Sequence, residues 1–93
     1  MDIKELRNKI DTIDTQLVRL FAERMSISAQ VAEYKRQNNL PIYIPEREAE
    51  ILMTVAQKAG PEMEEYAKCL YTLIFQLSRD YQEHKMETSR ECK

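Results

Sequence analysis

LRNKIDTIDTQLVRLFAERMSISAQVAEYK, from Leu6 to Lys35, decides the architecture. It sits inside an opening segment, Met1 to Leu40, that contains neither glycine nor proline. Leu6, Ile10, Ile13, Leu17, Leu20, Ile27 and Val31 recur at helical spacing. Asp2 followed by Glu5 supplies a capping-box pattern ahead of them. The periodicity fades in RQNNL, where Asn38 and Asn39 suit a helix end, and Pro41 forbids simple continuation. The stretch predicts one helix of about 37 residues, roughly 55 Å long. A compact chain of this length would be only about 32 Å across. The helix therefore overshoots its own domain.

Turning each residue by about 100° shows what the overshoot carries. With Arg24 at zero, Leu6, Ile13, Leu17 and Val31 fall within about 20°, and Lys35 at about 20°. Val18, Met25, Ala29 and Ala32 form a second apolar shoulder, roughly 80–140° away. Two apolar faces, with only two other helices to cover them, predict a second copy of the chain as partner. Met25, Ala29 and Ala32 are expected to meet it.

Arg24 and Lys35 thus stand on the apolar line itself, about 16 Å apart. Long side chains can snorkel from a core edge. Two on one line call for more, because an unpaired buried charge is costly and is normally matched by an anion. Asp14 and Glu48 are the acids placed nearest the interior, and one carboxylate does not neutralise two cations. A polyanionic ligand would. Arg7 lies about 25 Å from Arg24 and about 100° round the helix. If it serves a site, that site belongs to the other protomer, so a dimer would carry two equivalent sites built from both chains.

The rest of the chain reads as two further helices. Pro45 is a favoured first helical position, and Ile51, Leu52 and Val55 continue the pattern to about Ala59. Gly60-Pro61 is a stop and a start in one dipeptide. Met63, Tyr66, Leu70, Tyr71, Ile74, Leu77 and Tyr81 mark the third helix. No strand alternation and no repeat is present. The expectation is an all-α chain of three helices with a very long first one: a helical domain over 1–85 and a polar, frayed tail over 86–93. Arg47 and Glu48 occupy the first turn of the second helix, where the helix dipole favours an ionised carboxylate. Ser78 and Gln82, four apart, share a face of the third.

Composition narrows the partners. Lys+Arg 14 against Asp+Glu 16 gives a net charge of −2 over 93 residues, which argues against nucleic acid or an anionic membrane surface. No apolar run approaches the roughly 20 residues of a membrane span, and no charged-then-apolar leader precedes the first helix. A soluble, cytoplasmic chain is expected. Cys69 and Cys92 read as a buried thiol in a helix and a free tail thiol, without a disulfide or metal pair. His84, the single histidine, sits among charged residues and reads as surface.

LRNKIDTIDTQLVRLFAER, the later AEYK, PEREAEIL at the second helix and SRDYQ in the third together resemble the all-helical chorismate mutases, from about Leu6 to Gln82. The resemblance implies an intertwined helical homodimer that converts chorismate, a small dicarboxylate, to prephenate in aromatic amino-acid biosynthesis, without cofactor or metal. Carried over by position, Arg24 and Arg7 of the partner subunit would grip the substrate carboxylates. Lys35 and Gln82 would donate to the ether oxygen of the breaking bond. Glu48 would accept from the ring hydroxyl, Ser78 would help to hold a carboxylate, and Arg47 would line the pocket. Where relatives often carry an aspartate, this chain has Ile44, a poor helix cap that keeps only its backbone for ligand contact. A looser 38–46 loop is expected from it. An isochorismate pyruvate lyase of the same fold is the alternative activity. A non-catalytic dimerisation module, or a regulatory subunit of another shikimate-pathway enzyme, is the alternative class, and a non-covalent enzyme partner from that pathway is possible in either case.

Overall fold

The computed structural model describes residues 2–91, with the side chains of residues 2–85. Three helices account for it: α1 (Ile3–Gln37), α2 (Pro45–Ala59) and α3 (Glu64–Glu91). Asp2 caps α1, its Oδ1 accepting from the Glu5 N–H at 2.9 Å. At the far end, the Leu40 N–H reaches the Lys35 carbonyl at 2.8 Å and the Asn39 N–H reaches that of Arg36 at 3.4 Å. This is a Schellman termination, and its left-handed position is held by Asn39 at φ 55°. The two asparagines are therefore the stop signal, and Pro41 follows them.

Pro45 opens α2 as expected. Ile44 stands in the cap position and offers no side-chain hydrogen bond. Its carbonyl accepts from Arg47 and Glu48, so the first turn closes on backbone alone. Gly60 ends the helix at φ 85°, a conformation that a side chain would strain, and a turn through Pro61 leads into α3. Helical backbone continues to Glu91, inside the polar segment that the sequence sets apart from residue 86. Cys92 lies outside the described residues.

α3 packs against both other helices, and α1 and α2 meet only through it. The core is correspondingly thin. Ala32, Ala56 and Phe75 are its buried apolar residues, and the Tyr71 and Phe75 rings meet edge to face at 6.0 Å. The radius of gyration is 16.7 Å and the long dimension 57 Å, against about 12 Å for a compact chain of this size. Residues 3–23 of α1 are exposed on all sides. Ile10, Ile13, Leu17, Val18 and Leu20 each keep more than half of their surface in solvent.

Two expectations are corrected here. The Met25–Ala32 shoulder does not wait for another chain. Ser28 and Ala32 are buried and Met25 is half-buried, with α3 the helix packed on α1 and Ser78 donating to Met25 Sδ at 3.8 Å. The small side chains Ser28, Ala29 and Ala32 let α3 approach closely. Cys69, expected to be buried, is exposed, as are Leu70 and Leu73 beside it. Leu70 and Leu73 line an open groove together with Leu17, Val18 and Phe21 of α1. His84 is exposed. No helix among the described residues is long and apolar enough to cross a membrane.

Candidate functional site

The C-terminal half of α1, the start of α2 and the middle of α3 enclose a cavity of about 330 Å³. Its size falls in the range of small-molecule sites. Ile27, Val31, Ile51 and Phe75 give it apolar walls, and the 38–44 connection contributes Ile42 and Ile44. Four cations and a single carboxylate line it: Arg24, Lys35, Arg47 and Arg79 against Glu48. The line on which Arg24 and Lys35 lie is therefore not a packed seam. In its upper part it is the wall of an open cavity, and both cations are half-buried there.

Arg24 is fixed on two sides. Its Nη1 donates to Ser78 Oγ at 3.1 Å, and its guanidinium carbon lies 5.8 Å from the centre of the Tyr71 ring. The Ser78 O–H donates a weak hydrogen bond to Met25 Sδ, which leaves its oxygen as the acceptor that aims Arg24. In the last turn of α1, Lys35 Nζ donates to the Ile42 carbonyl at 2.7 Å. Burial pushes its ammonium below the usual lysine range, and the charge of Glu48 partly opposes this.

Glu48 is bonded to Arg79, whose guanidinium also lies over the Tyr43 ring at 4.8 Å. The bond to Glu48 holds the Arg79 cation more firmly charged than usual. Gln82 is only 7% exposed, and its Oε1 has no hydrogen-bond partner. A buried polar atom in that condition is destabilising unless a ligand meets it. Arg47 reaches the cavity rim, but its guanidinium pairs with Glu50 at 2.7 Å on the surface. Arg7 lies on the exposed half of α1, away from this cavity. Among the described residues no group of three or more His, Cys, Asp or Glu is placed to hold a metal ion.

Seven of the eight expected site residues, Arg24, Lys35, Ile44, Arg47, Glu48, Ser78 and Gln82, line one cavity, and Arg7 does not. Arg79 and Phe75 were not anticipated. Ser78, Gln82, Phe75 and Arg79 fall within an arc of about 100° on α3, so helical phase would have pointed to both.

Residues 6–83 match the family model of chorismate mutase type II. The chain belongs to the chorismate mutase type II family. Among curated proteins, it is 46% identical over 61 residues to the T-protein of Haemophilus influenzae, a match covering 62% of this chain and 16% of that protein. It is 48% identical over 50 residues to the bifunctional chorismate mutase/prephenate dehydratase of Aquifex aeolicus, covering 54% of this chain and 14% of the other. With the chorismate mutase of Methanocaldococcus jannaschii it shares 50% identity over 46 residues, half of this chain and 46% of that one. The chain thus spans less than half the length of each of these relatives. No solved structure matches it.

Proposed function

We propose that the chain is a chorismate mutase working as an intertwined homodimer in the cytoplasm. The observation that carries this is the convergence of Arg24, Lys35 and the unpartnered Gln82 carboxamide on one cavity, in a chain of this family. In the rearrangement of chorismate to prephenate, one C–O bond breaks and one C–C bond forms within a single molecule. No proton moves and no nucleophile is needed. The protein must fold a flexible dianion into a chair and stabilise the oxygen that gains charge.

Arg24, aimed by Ser78 and Tyr71, takes one substrate carboxylate. Arg7 of the partner subunit takes the other. The uncovered apolar residues of 3–23 supply the contact surface for that second copy. Lys35 points its remaining N–H groups at the ether oxygen. Rotation of the Gln82 carboxamide about its last torsion exchanges Oε1 for Nε2, so the same buried position can present a donor to that oxygen. Glu48 accepts from the ring hydroxyl. The product, prephenate, suits the second activity named in the Aquifex aeolicus relative, and an enzyme of that kind is the natural recipient.

The test is loss of chorismate absorbance at neutral pH, with Arg24→Ala as control. Turnover by the native chain that is lost in Arg24→Ala supports the assignment. Inactivity of a folded dimer towards chorismate, or consumption of isochorismate with pyruvate release instead, overturns it.

A further inference from the structure

The cavity's one carboxylate sits at the junction between the 38–44 connection and α2. Glu48 is in the first turn of α2, a helix whose cap residue, Ile44, provides no side-chain bond. α2 packs on α3 and not on α1. The segment before it is tied back to α1 through Lys35 and the Ile42 carbonyl. One side chain on α3 reaches both sides of this junction. From α3, Arg79 donates to Glu48 Oε2 inside α2 and lies over the Tyr43 ring in the preceding connection.

We propose that Arg79 is a positioning residue for Glu48: it fixes one carboxylate oxygen, leaves Oε1 for a ligand hydroxyl, and pins the Tyr43 segment as one wall of the cavity. The geometry gives this role a reason. Glu48 has two cations within its field, Arg79 and Lys35. A carboxylate released from Arg79 would turn to Lys35 and occupy the ammonium needed for the ether oxygen. A guanidinium suits the task because its planar fork can bond the carboxylate and stack on an aromatic face together. In doing so it stands in for the missing cap at position 44, holding α2's first turn from α3 instead of from its own N-terminus.

This inference rests on the chorismate mutase reading, and its test separates the two. Four proteins are compared: the native chain, Arg79→Met, Glu48→Gln and the double variant. Each is checked for helical circular dichroism, then for kcat and KM with chorismate. Arg79→Met is expected to lower kcat/KM about ten- to hundred-fold, the range of a hydrogen bond to a charged group. In the Glu48→Gln background the same change should cost clearly less, because only the weaker bond to an amide oxygen and the Tyr43 contact remain to be lost. Arg79→Lys should recover part of kcat while KM stays raised, since an ammonium can pair with Glu48 but stacks less well on Tyr43. Equal losses in both backgrounds, or native kinetics in Arg79→Met, overturn the proposal. If Arg79→Met does not fold, Arg79→Gln takes its place in the same cycle. A native chain that leaves chorismate untouched refutes the functional reading instead. The cycle is then read in thermal unfolding, where additive shifts overturn the pairing and coupled ones uphold it.

Discussion

The Lys35 ammonium and the Ile42 carbonyl oxygen are 2.7 Å apart, across the bend that joins α1 to α2. One donor of the ammonium is thus spent on holding the connection in place. The others remain for the cavity, at a point where burial makes a positive charge want an anion. Lys35→Ala removes both the strut and the donor. It is expected to lower kcat for chorismate by about 10²–10³, the usual loss for a preorganised donor at a developing oxyanion. Lys35→Arg should restore the connection better than the rate, because a guanidinium cannot occupy the ammonium's compact position. Steady-state absorbance kinetics decide it, and unchanged kcat in Lys35→Ala would remove Lys35 from the mechanism.

The pH profile follows from the same residue. Lys35 must be protonated to donate, and its folded pKa lies below 10.5. Activity is therefore expected to fall as pH rises through a limb placed below the ordinary lysine value. The limb in kcat/KM reports the free enzyme, and that in kcat reports the complex, where a bound dianion favours the ammonium. The kcat limb should lie at higher pH. Folding stability moves the other way within this window, rising with pH, because the unfolded chain still binds the proton that the folded one has released. Coincident limbs in kcat and kcat/KM would contradict the picture.

Gln82 sets stability against activity. Its Oε1 is buried without a partner, which carries a penalty of about 1–3 kcal/mol. Gln82→Leu should remove that penalty and raise the melting temperature by several degrees, while cutting kcat at least about ten-fold. Gln82→Glu is the complementary change. A carboxyl group donates only when protonated, so this variant should lose activity as pH rises through its carboxyl pKa, over a range where the native amide is insensitive. Differential scanning calorimetry and pH-rate measurements check the pair. A lowered melting temperature in Gln82→Leu would show that the amide is satisfied in the unliganded protein.

Arg7 is tested by mixing. Protomers carrying Arg7→Ala and Arg24→Ala are each expected to be nearly inactive alone. In a mixed dimer with a site shared between chains, both defects fall in one site and the other site is intact. Random exchange then recovers about a quarter of native activity, since half the dimers are mixed and each holds one good site. No recovery, with exchange verified by mass spectrometry, would confine each site to one chain.

Much of this molecule was legible in local chemistry. Asp2, Asn39, Pro45 and Gly60 mark the helix ends, since caps, left-handed positions and proline act over a few residues. Arg24 and Lys35 were conspicuous because two cations on an apolar line demand an explanation. What sequence hid was which helix covers which face. The wheel groups Met25 with Ala32, but only tertiary packing shows that α3 occupies that shoulder and that one side of α3, with Cys69 and Leu73, stays open. Arg79 escaped for the same reason. Its partner Glu48 is 31 residues away on another helix, and nothing adjacent to Arg79 distinguishes it from a solvated arginine.

The unbroken backbone of α1 also acts as a ruler. Between Arg7 and Arg24 there is no turn, kink or glycine to absorb a change in length. One inserted residue in that span would swing everything before it by about 100° and advance it about 1.5 Å. Arg7 and the apolar stripe would then point in new directions together. Seven inserted residues would nearly restore the direction but displace Arg7 by about 10 Å. With Arg7 serving the partner's site as proposed, residues 8–23 could exchange side chains on their outer face, whereas their number would be fixed by the distance and angle that Arg7 must keep.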